Sequence, residues 1–245
     1  MSSELELIAA VAIEVRLLCV PHGEDDGFRF MPVHTSQYIP GSMERSSCSA
    51  LILAAGASTR FGEPKQAVLW NGLSLLRRAA LTALECESDD VIVVLGAHSE
   101  RVRTELEGLP VFVADNPLWK EGIAGSLRVG VQAAIDSRAQ SILVTLADQP
   151  LVTPSHLNNL IAAWRNGAAS VATSYAGTFG APALFDQTRY PDLLALRGHC
   201  GAKAVLARHA SALACVPFAE AATDIDRRAD LAALCEREPN SAHSS

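Results

Sequence analysis

The sequence contains no pair of cysteines spaced C-x-x-C and no pair of histidines spaced H-x-x-x-H. The first absence argues against a zinc knuckle or a thioredoxin-type redox pair, the second against a zinc site on one helix face. No G-x-S-x-G elbow is present, so a hydrolase nucleophile of that kind is missing. Nor is any apolar run long enough to span a bilayer. The N-terminal stretch MSSELELIAAVAIEVRLLCV is interrupted by Glu14 and Arg16, and it carries Glu4 and Glu6 where a secretory signal needs basic residues. Positive charge is short as well, with 20 Lys and Arg against 27 Asp and Glu, a net charge of −7. That balance argues against nucleic acid and membrane surfaces as partners, while a few local cations or a bound metal still suit a small anionic ligand. The expectation is a soluble, cytoplasmic protein whose six cysteines (Cys19, Cys48, Cys86, Cys200, Cys215 and Cys235) are reduced thiols. Cys215, inside the apolar run ALACVPF, is expected to be buried.

What is present is ordinary in bulk and specific in detail. Hydrophobic residues make up 49% and charged residues 19%, and 245 residues can bury a sizeable core without disulfides. Residues 21–47 are rich in Gly, Pro, Ser and charge and carry no sustained periodicity. The expected organisation is a poorly ordered N-terminal extension over 1–46, one domain over 47–236 and a disordered tail over 237–245. Met43 stands just before that domain, so a functional chain starting there is a further expectation.

From residue 49 strands and helices alternate. SALILAA, DVIVVLG, PVFVAD, SILVTL, SVATSY, APALF and ALACVPF read as strands. Helical spacing covers 73–87, 98–107, 122–137, 153–166, 190–196 and 202–209, with Thr153 and Pro154 as a start signal. Such alternation predicts an α/β, Rossmann-like three-layer domain around a central, mostly parallel (mixed) sheet. Ligands of these sheets bind beyond the C-terminal strand ends.

The loop after the first strand, LILAAGASTRFGEPKQ, fits neither common phosphate loop. G-x-x-x-x-G-K-[ST] fails because five residues separate Gly56 from Gly62, and G-x-G-x-x-G fails at Ser58. Gly56 still lets a backbone approach a ligand, and Arg60 and Lys65 supply a fork and a point charge for phosphates. The competing reading is a glycine turn with two solvated cations. Asp148, directly after SILVTL, suits magnesium as well as it suits a turn before a helix. Ser126, in the helix start GIAGSLR, could meet phosphate, ribose or base, or simply cap. Asp115 and Asn116 sit at another strand end. Trp70, Trp119 and Trp164 are read as packing residues, Trp119 being the one to watch.

LAAGASTRFGEPK resembles the loop of the molybdopterin-cofactor nucleotidyltransferases, MobA-like NTP transferases that include CTP:molybdopterin cytidylyltransferase. NPLWKEGIAGSLRVGV, TLADQP, GAPALFDQTRYPDLLAL and DIDRRADL resemble further segments of that family, so the likeness runs from about residue 50 to 234. It implies a nucleotide-diphospho-sugar-transferase-like fold and transfer of CMP, or another NMP, from an NTP to the terminal phosphate of a molybdopterin-type cofactor. Ala-Ala-Gly in LAAG leans towards CTP. On this resemblance Lys65, Arg60 and Asp148 are catalytic, and the chain around Leu53, Ala54, Ala55 and Gly56 holds nucleotide together with Lys65, Asp115 and Ser126. Arg128, Gly180, Pro182, His199 and Lys203 face the acceptor. Mg2+ is held by Asp148 and Asp226, with Asp224 and Asp230 as alternatives to Asp226.

One segment departs from the family pattern: LRGHCGAK carries His199 and Lys203 where relatives have Asp and Arg, and Lys does not replace the planar fork of Arg. Two other readings stand beside the first. Because the first loop is shared among wider NTP transferases, one keeps the site for a sugar or polyol phosphate. The other is a non-catalytic cofactor-delivery protein, with a molybdenum-dependent dehydrogenase as its partner. The expected start at Met43 is checked by the intact mass of the native protein, and a mass that begins at Met1 refutes it.

Overall fold

The computed structural model describes residues 47–237. The extension expected over 1–46, the start at Met43 and the tail beyond residue 237 lie outside the described residues.

In chain order the elements are β1 (Cys48–Ala54), the hairpin β2 (Leu69–Trp70) and β3 (Leu73–Ser74), α1 (Leu75–Leu84), β4 (Asp90–Leu95), α2 (Ser99–Arg103) and β5 (Phe112–Asp115). There follow α3 (Ile123–Asp136), β6 (Ser141–Leu146), α4 (Pro154–Arg165), β7 (Ser170–Tyr175), β8 (Thr178–Asp186), α5 (Tyr190–Leu194), α6 (Lys203–Arg208), β9 (Ala214–Pro217) and α7 (Arg228–Arg237). Local chemistry sets several starts. The Ser74 side chain accepts from the Arg77 amide before α1, and Thr153 does the same for His156 before α4, with Pro154 in the first turn.

Seven strands form one sheet in the order β5-β4-β1-β6-β8-β7-β9. All pairings are parallel except those of β8, which runs against both β6 and β7. Every residue of β1 is buried, as a strand covered on both faces requires. Its side chains alternate between two cores. Leu51 and Leu53 pack with Ala124, Leu127 and Val131 of α3 and with Leu193 and Leu206 of α5 and α6. Ala50, Ile52 and Ala54 pack with Leu76 and Ala80 of α1 and Val102 of α2. On that second side α4 covers the neighbouring strands with Leu157, Leu160, Ile161 and Trp164. The result is the expected three-layer α/β fold. The chain leaves β1 for β4 on one side and returns to β6 on the other, so the topological switch lies beside β1.

Four details differ from the sequence expectation. Residues 73–74 pair as a strand, so the helix begins at Leu75. The helix expected over 98–107 is shortened to α2, and a 3-10 turn, Thr104–Leu106, follows it. α7, which the pattern does not announce, buries Leu234 in a small satellite core with Phe61, Trp70, Leu75 and Ile225. Cys215 is exposed, a correction with a simple cause: β9 is an edge strand whose residues alternate between half-buried and exposed.

α3 crosses β1 closely at Gly130, where an added Cβ would stand 2.3 Å from Leu51 Cδ1. Gly130→Val is expected to destabilise the domain by about 1–3 kcal/mol through overpacking. Urea denaturation checks this, and an unchanged midpoint would show that the contact relaxes freely.

Candidate active site

The loop leaving β1 is fixed by its own side chains. Gln66 is 2% exposed, and its Nε2 donates to the carbonyls of Ala54 at 2.9 Å and Gly56 at 2.8 Å. Its Oε1 accepts from Ser58 Oγ at 3.1 Å, and Ser58 Oγ accepts from the Lys65 amide at 3.1 Å. Ser58 itself is held at φ 54°, a left-handed conformation uncommon outside glycine, while Phe61 and Gly62 donate to its carbonyl. Nothing lies within 4 Å of where a Cβ on Gly56 would stand. The glycine therefore meets no protein neighbour and leaves the loop open for a ligand's close approach.

This clamp delivers Lys65 to a pair of carboxylates. Its Nζ lies 2.6 Å from Asp148 Oδ2, just past β6, and 2.9 Å from Asp226 Oδ1, just before α7. Arg60 Nη2 reaches the other Asp226 oxygen at 3.1 Å, though at 65% exposure that contact adds little stability. Burial opposes the Lys65 charge, but the Asp148 and Asp226 carboxylates outweigh it and hold the ammonium above the ordinary lysine range. Asp226 is held below the usual carboxylate range, chiefly by its hydrogen bond from Lys65. Asp224 behaves oppositely. Neighbouring protein removes part of the hydration of this surface carboxyl and the Asp148 charge stands beside it, which together push it up to about 6. Asp230 accepts from the amides of Asp226 and Arg227 and thereby caps α7.

Among the described residues no three His, Cys, Asp or Glu side chains gather to hold a metal. Two carboxylates are nonetheless what a magnesium ion needs when phosphates and water complete its shell. Asp148 Oδ1 fits that use, since it is buried and has no hydrogen-bond partner.

The remaining expected site residues fall elsewhere along the C-terminal strand ends. Asp115 is exposed and pairs with Arg103 at 2.6 Å. Ser126 is buried and accepts from Asn116 Nδ2 at 3.0 Å, which places it behind the surface of the α3 start. Arg128 donates to the Leu196 carbonyl and pairs with Glu121. The 198–199 turn packs on the same helix start: the Gly198 carbonyl accepts from the Ala124 amide, and a Cβ on Gly122 would meet it at 2.4 Å. His199 Nδ1 would stand 3.0 Å from that same Cβ. Lys203 Nζ donates to Thr178 Oγ1 at 2.8 Å beside the Phe179 ring. Trp119 packs on Gly96 and the core.

Pro182 lies with Ala181 in a bulge of β8, and Gly180 pairs with Thr173 at its edge. A Cβ at Gly180 would stand 2.6 Å from the Tyr175 hydroxyl, so only glycine leaves that hydroxyl in place. Thr173 Oγ1 donates to the Pro182 carbonyl at 2.6 Å, and His156 Nε2 lies 2.8 Å from the same hydroxyl. With the Thr173 proton used on Pro182, His156 donates from Nε2. Its ring stacks on Phe218 at 4.3 Å. Gln66, Ser58 and Gln149, discussed below, were not expected from the sequence; their visible signal is adjacency to Gly56, Lys65 and Asp148.

The fold defines a class: α/β proteins with a mostly parallel sheet, in which ligands bind at the topological switch point. The particular membership follows from comparison, because residues 50–213 match the MobA-like NTP transferase domain. The chain belongs to the MobA-like NTP transferase family. It is 32% identical over 165 residues to the purine catabolism protein PucB of Bacillus subtilis, covering 64% of this chain and 78% of that one. It is 32% identical over 133 residues to the nicotine blue oxidoreductase of Paenarthrobacter nicotinovorans, covering 54% and 64%. Among solved structures, Rv0371c of Mycobacterium tuberculosis H37Rv in complex with manganese superposes with a TM-score of 0.62 at 27% identity, covering 78% of this chain and all of that one. No helix among the described residues is long and apolar enough to cross a membrane.

Burial lowers the His156 imidazole to about 4 from an ordinary 6.5. Below pH 6.5 the unfolded chain takes up a proton that folded His156 refuses, so stability is lost as pH falls towards 4. One such proton contributes a slope of up to about 1.4 kcal/mol per pH unit. His156→Gln is expected to flatten the stability profile between about pH 4.5 and about pH 6.5, read by urea denaturation. Identical slopes for both proteins would refute the assignment.

Proposed function

We propose that the protein transfers a nucleotidyl group, with CTP the favoured donor, to the terminal phosphate of a molybdopterin-type acceptor and releases pyrophosphate. The observation that carries this reading is the Lys65 ammonium, held 2.6 and 2.9 Å from Asp148 and Asp226 at the foot of a loop whose Gly56 faces open space. Family membership supports nucleotidyl transfer, and the LAAG run supports cytidine.

In the proposed reaction an acceptor phosphate oxygen bonds to the α-phosphorus of the NTP as the bond to the bridging β-phosphate oxygen breaks. Such transfer depends on positioning and charge neutralisation more than on covalent chemistry by the protein. The 54–58 backbone, fixed by Gln66, would orient the triphosphate. Lys65 and Arg60 would meet its charge, Lys65 from a half-buried position already fixed by its carboxylate partners, which limits rearrangement at the moment of reaction. Asp148 and Asp226 would hold magnesium, which supplies Lewis-acid neutralisation at phosphate oxygens. That Rv0371c is known in complex with manganese supports a divalent ion as part of the reading. The segments around residues 180–182 and 198–203 would receive the acceptor, and the Lys203–Thr178 contact would have to give way if the ammonium meets its phosphate.

Pyrophosphate release is measured with magnesium, each of CTP, GTP, ATP and UTP, and molybdopterin-type cofactor. Turnover with CTP is expected, with Asp148→Ala and Lys65→Ala each lowering it on the order of 100- to 1000-fold. Turnover with another NTP alone refutes the cytidine preference. Tight pterin binding without release favours a delivery protein, and turnover only with sugar or polyol phosphates changes the acceptor.

Gly56→Ala provides an independent check. Its Cβ meets no protein atom, so stability should hold or rise slightly. Nucleotide affinity should fall roughly 10-fold, a penalty of about 1.4 kcal/mol from the methyl group. Unchanged affinity by calorimetry would move the nucleotide away from this loop.

A further inference from the structure

Gln149 follows Asp148 directly and is 5% exposed. Its Nε2 donates to the Ala181 carbonyl at 3.2 Å and to the Ala221 carbonyl at 3.0 Å, bridging 32 and 72 positions of sequence. Ala181 lies between Gly180 and Pro182 on β8. Ala221 lies in the short turn Ala219–Ala222, which leads into Asp224 and Asp226. One side chain therefore ties the turn that carries Asp148 to the acceptor-side strand and to the segment that carries Asp226. A main-chain bond runs beside it, from the Ile225 amide to the Asp148 carbonyl at 2.9 Å.

The place of this link matters more than its strength. β6 and β8 are paired only as far as Val144 and Ala183. Past that register no ladder bonds hold the Asp148 turn to residues 180–182, and Pro182 has no amide to offer. Gln149 is the cross-brace beyond the end of the ladder. Its Oε1 is buried without a hydrogen-bond partner, a cost of the kind stability alone would select against. A glutamine is explained there by what its amide faces: the Ala181 and Ala221 carbonyls and, beside them, the Asp224 carboxylate, which it also helps to hold.

We propose that Gln149 is a positioning residue for the transfer reaction: without touching substrate, it sets the separation between the Asp148 carboxylate and the strand that receives the acceptor. The inference rests on the nucleotidyl-transfer reading above. Reactions between two bound partners are sensitive to displacements near 1 Å, so a loosened brace should harm acceptor use while sparing the nucleotide loop, which Gln66 holds independently.

The test uses Gln149→Met, which keeps length and removes the donors, and Gln149→Asn, which keeps the carboxamide one methylene too short. Pyrophosphate release is followed with magnesium while CTP and molybdopterin-type cofactor are varied separately, and urea denaturation identifies the folded variants. The expected result is an acceptor KM raised on the order of 10-fold with a reduced kcat, and a CTP KM within about twofold of wild type. Unchanged acceptor KM and kcat in either folded variant overturn the proposal. So does a parallel rise in both KM values, which marks a general loosening of the domain. A wild-type protein that releases no pyrophosphate with any NTP refutes the underlying reading, and the proposal with it.

Discussion

The Lys65 ammonium between Asp148 and Asp226 is the interaction around which the site is built. Its three members come from three distant parts of the chain: the loop after β1, the turn after β6 and the segment before α7. A charge taken this far out of water persists only with partners, and removing one member leaves the others uncompensated. The fold makes the meeting affordable by presenting β1 and β6 as neighbours at the switch point. Lysine then needs only the length of its own side chain to reach both carboxylates.

Around that centre, the structure is stiff where nucleotide would lie and looser where an acceptor would. The β1 loop is closed on itself by Gln66 and Ser58, with the latter held in an unfavourable backbone region by its hydrogen bonds. The opposite wall is assembled from a bulged antiparallel strand, a surface turn at residues 198–199 and side chains bonded to one another across exposed ground. Variation in acceptor among related domains is easier to build on the second wall than on the first.

Much of the layered fold was legible because buried strands such as SALILAA are continuous apolar runs and the helices keep their period. Asp148 stands out because charge directly after a buried strand serves the fold poorly, and Arg60 and Lys65 stand out through the spacing of the glycine loop that carries them. The glutamines did not stand out. What Gln66 and Gln149 do depends on which carbonyls the chain brings to them, and Ala221 is 72 residues from Gln149. Cys215 differs from its expectation because an apolar run does not reveal whether its strand lies at the centre or edge of a sheet. α7 leaves little mark on the sequence because Leu231 and Leu234 pack in a small core with the short β2–β3 hairpin, which has no pattern of its own.

β8 lies between β6 and β7 although it is made after both. As the chain leaves the ribosome, β6 and β7 cannot complete the sheet with each other, because the slot between them belongs to a strand not yet synthesised. The β7–β8 hairpin, joined by a turn of two residues, can form from local contacts and then dock on β6 as a unit. Until it does, β6 presents a bare edge beside the middle of the sheet, the kind of edge on which nascent chains pair with one another. Nascent chains stalled before residue 186 would carry that open edge, and the sheet becomes safe only once β8 is seated.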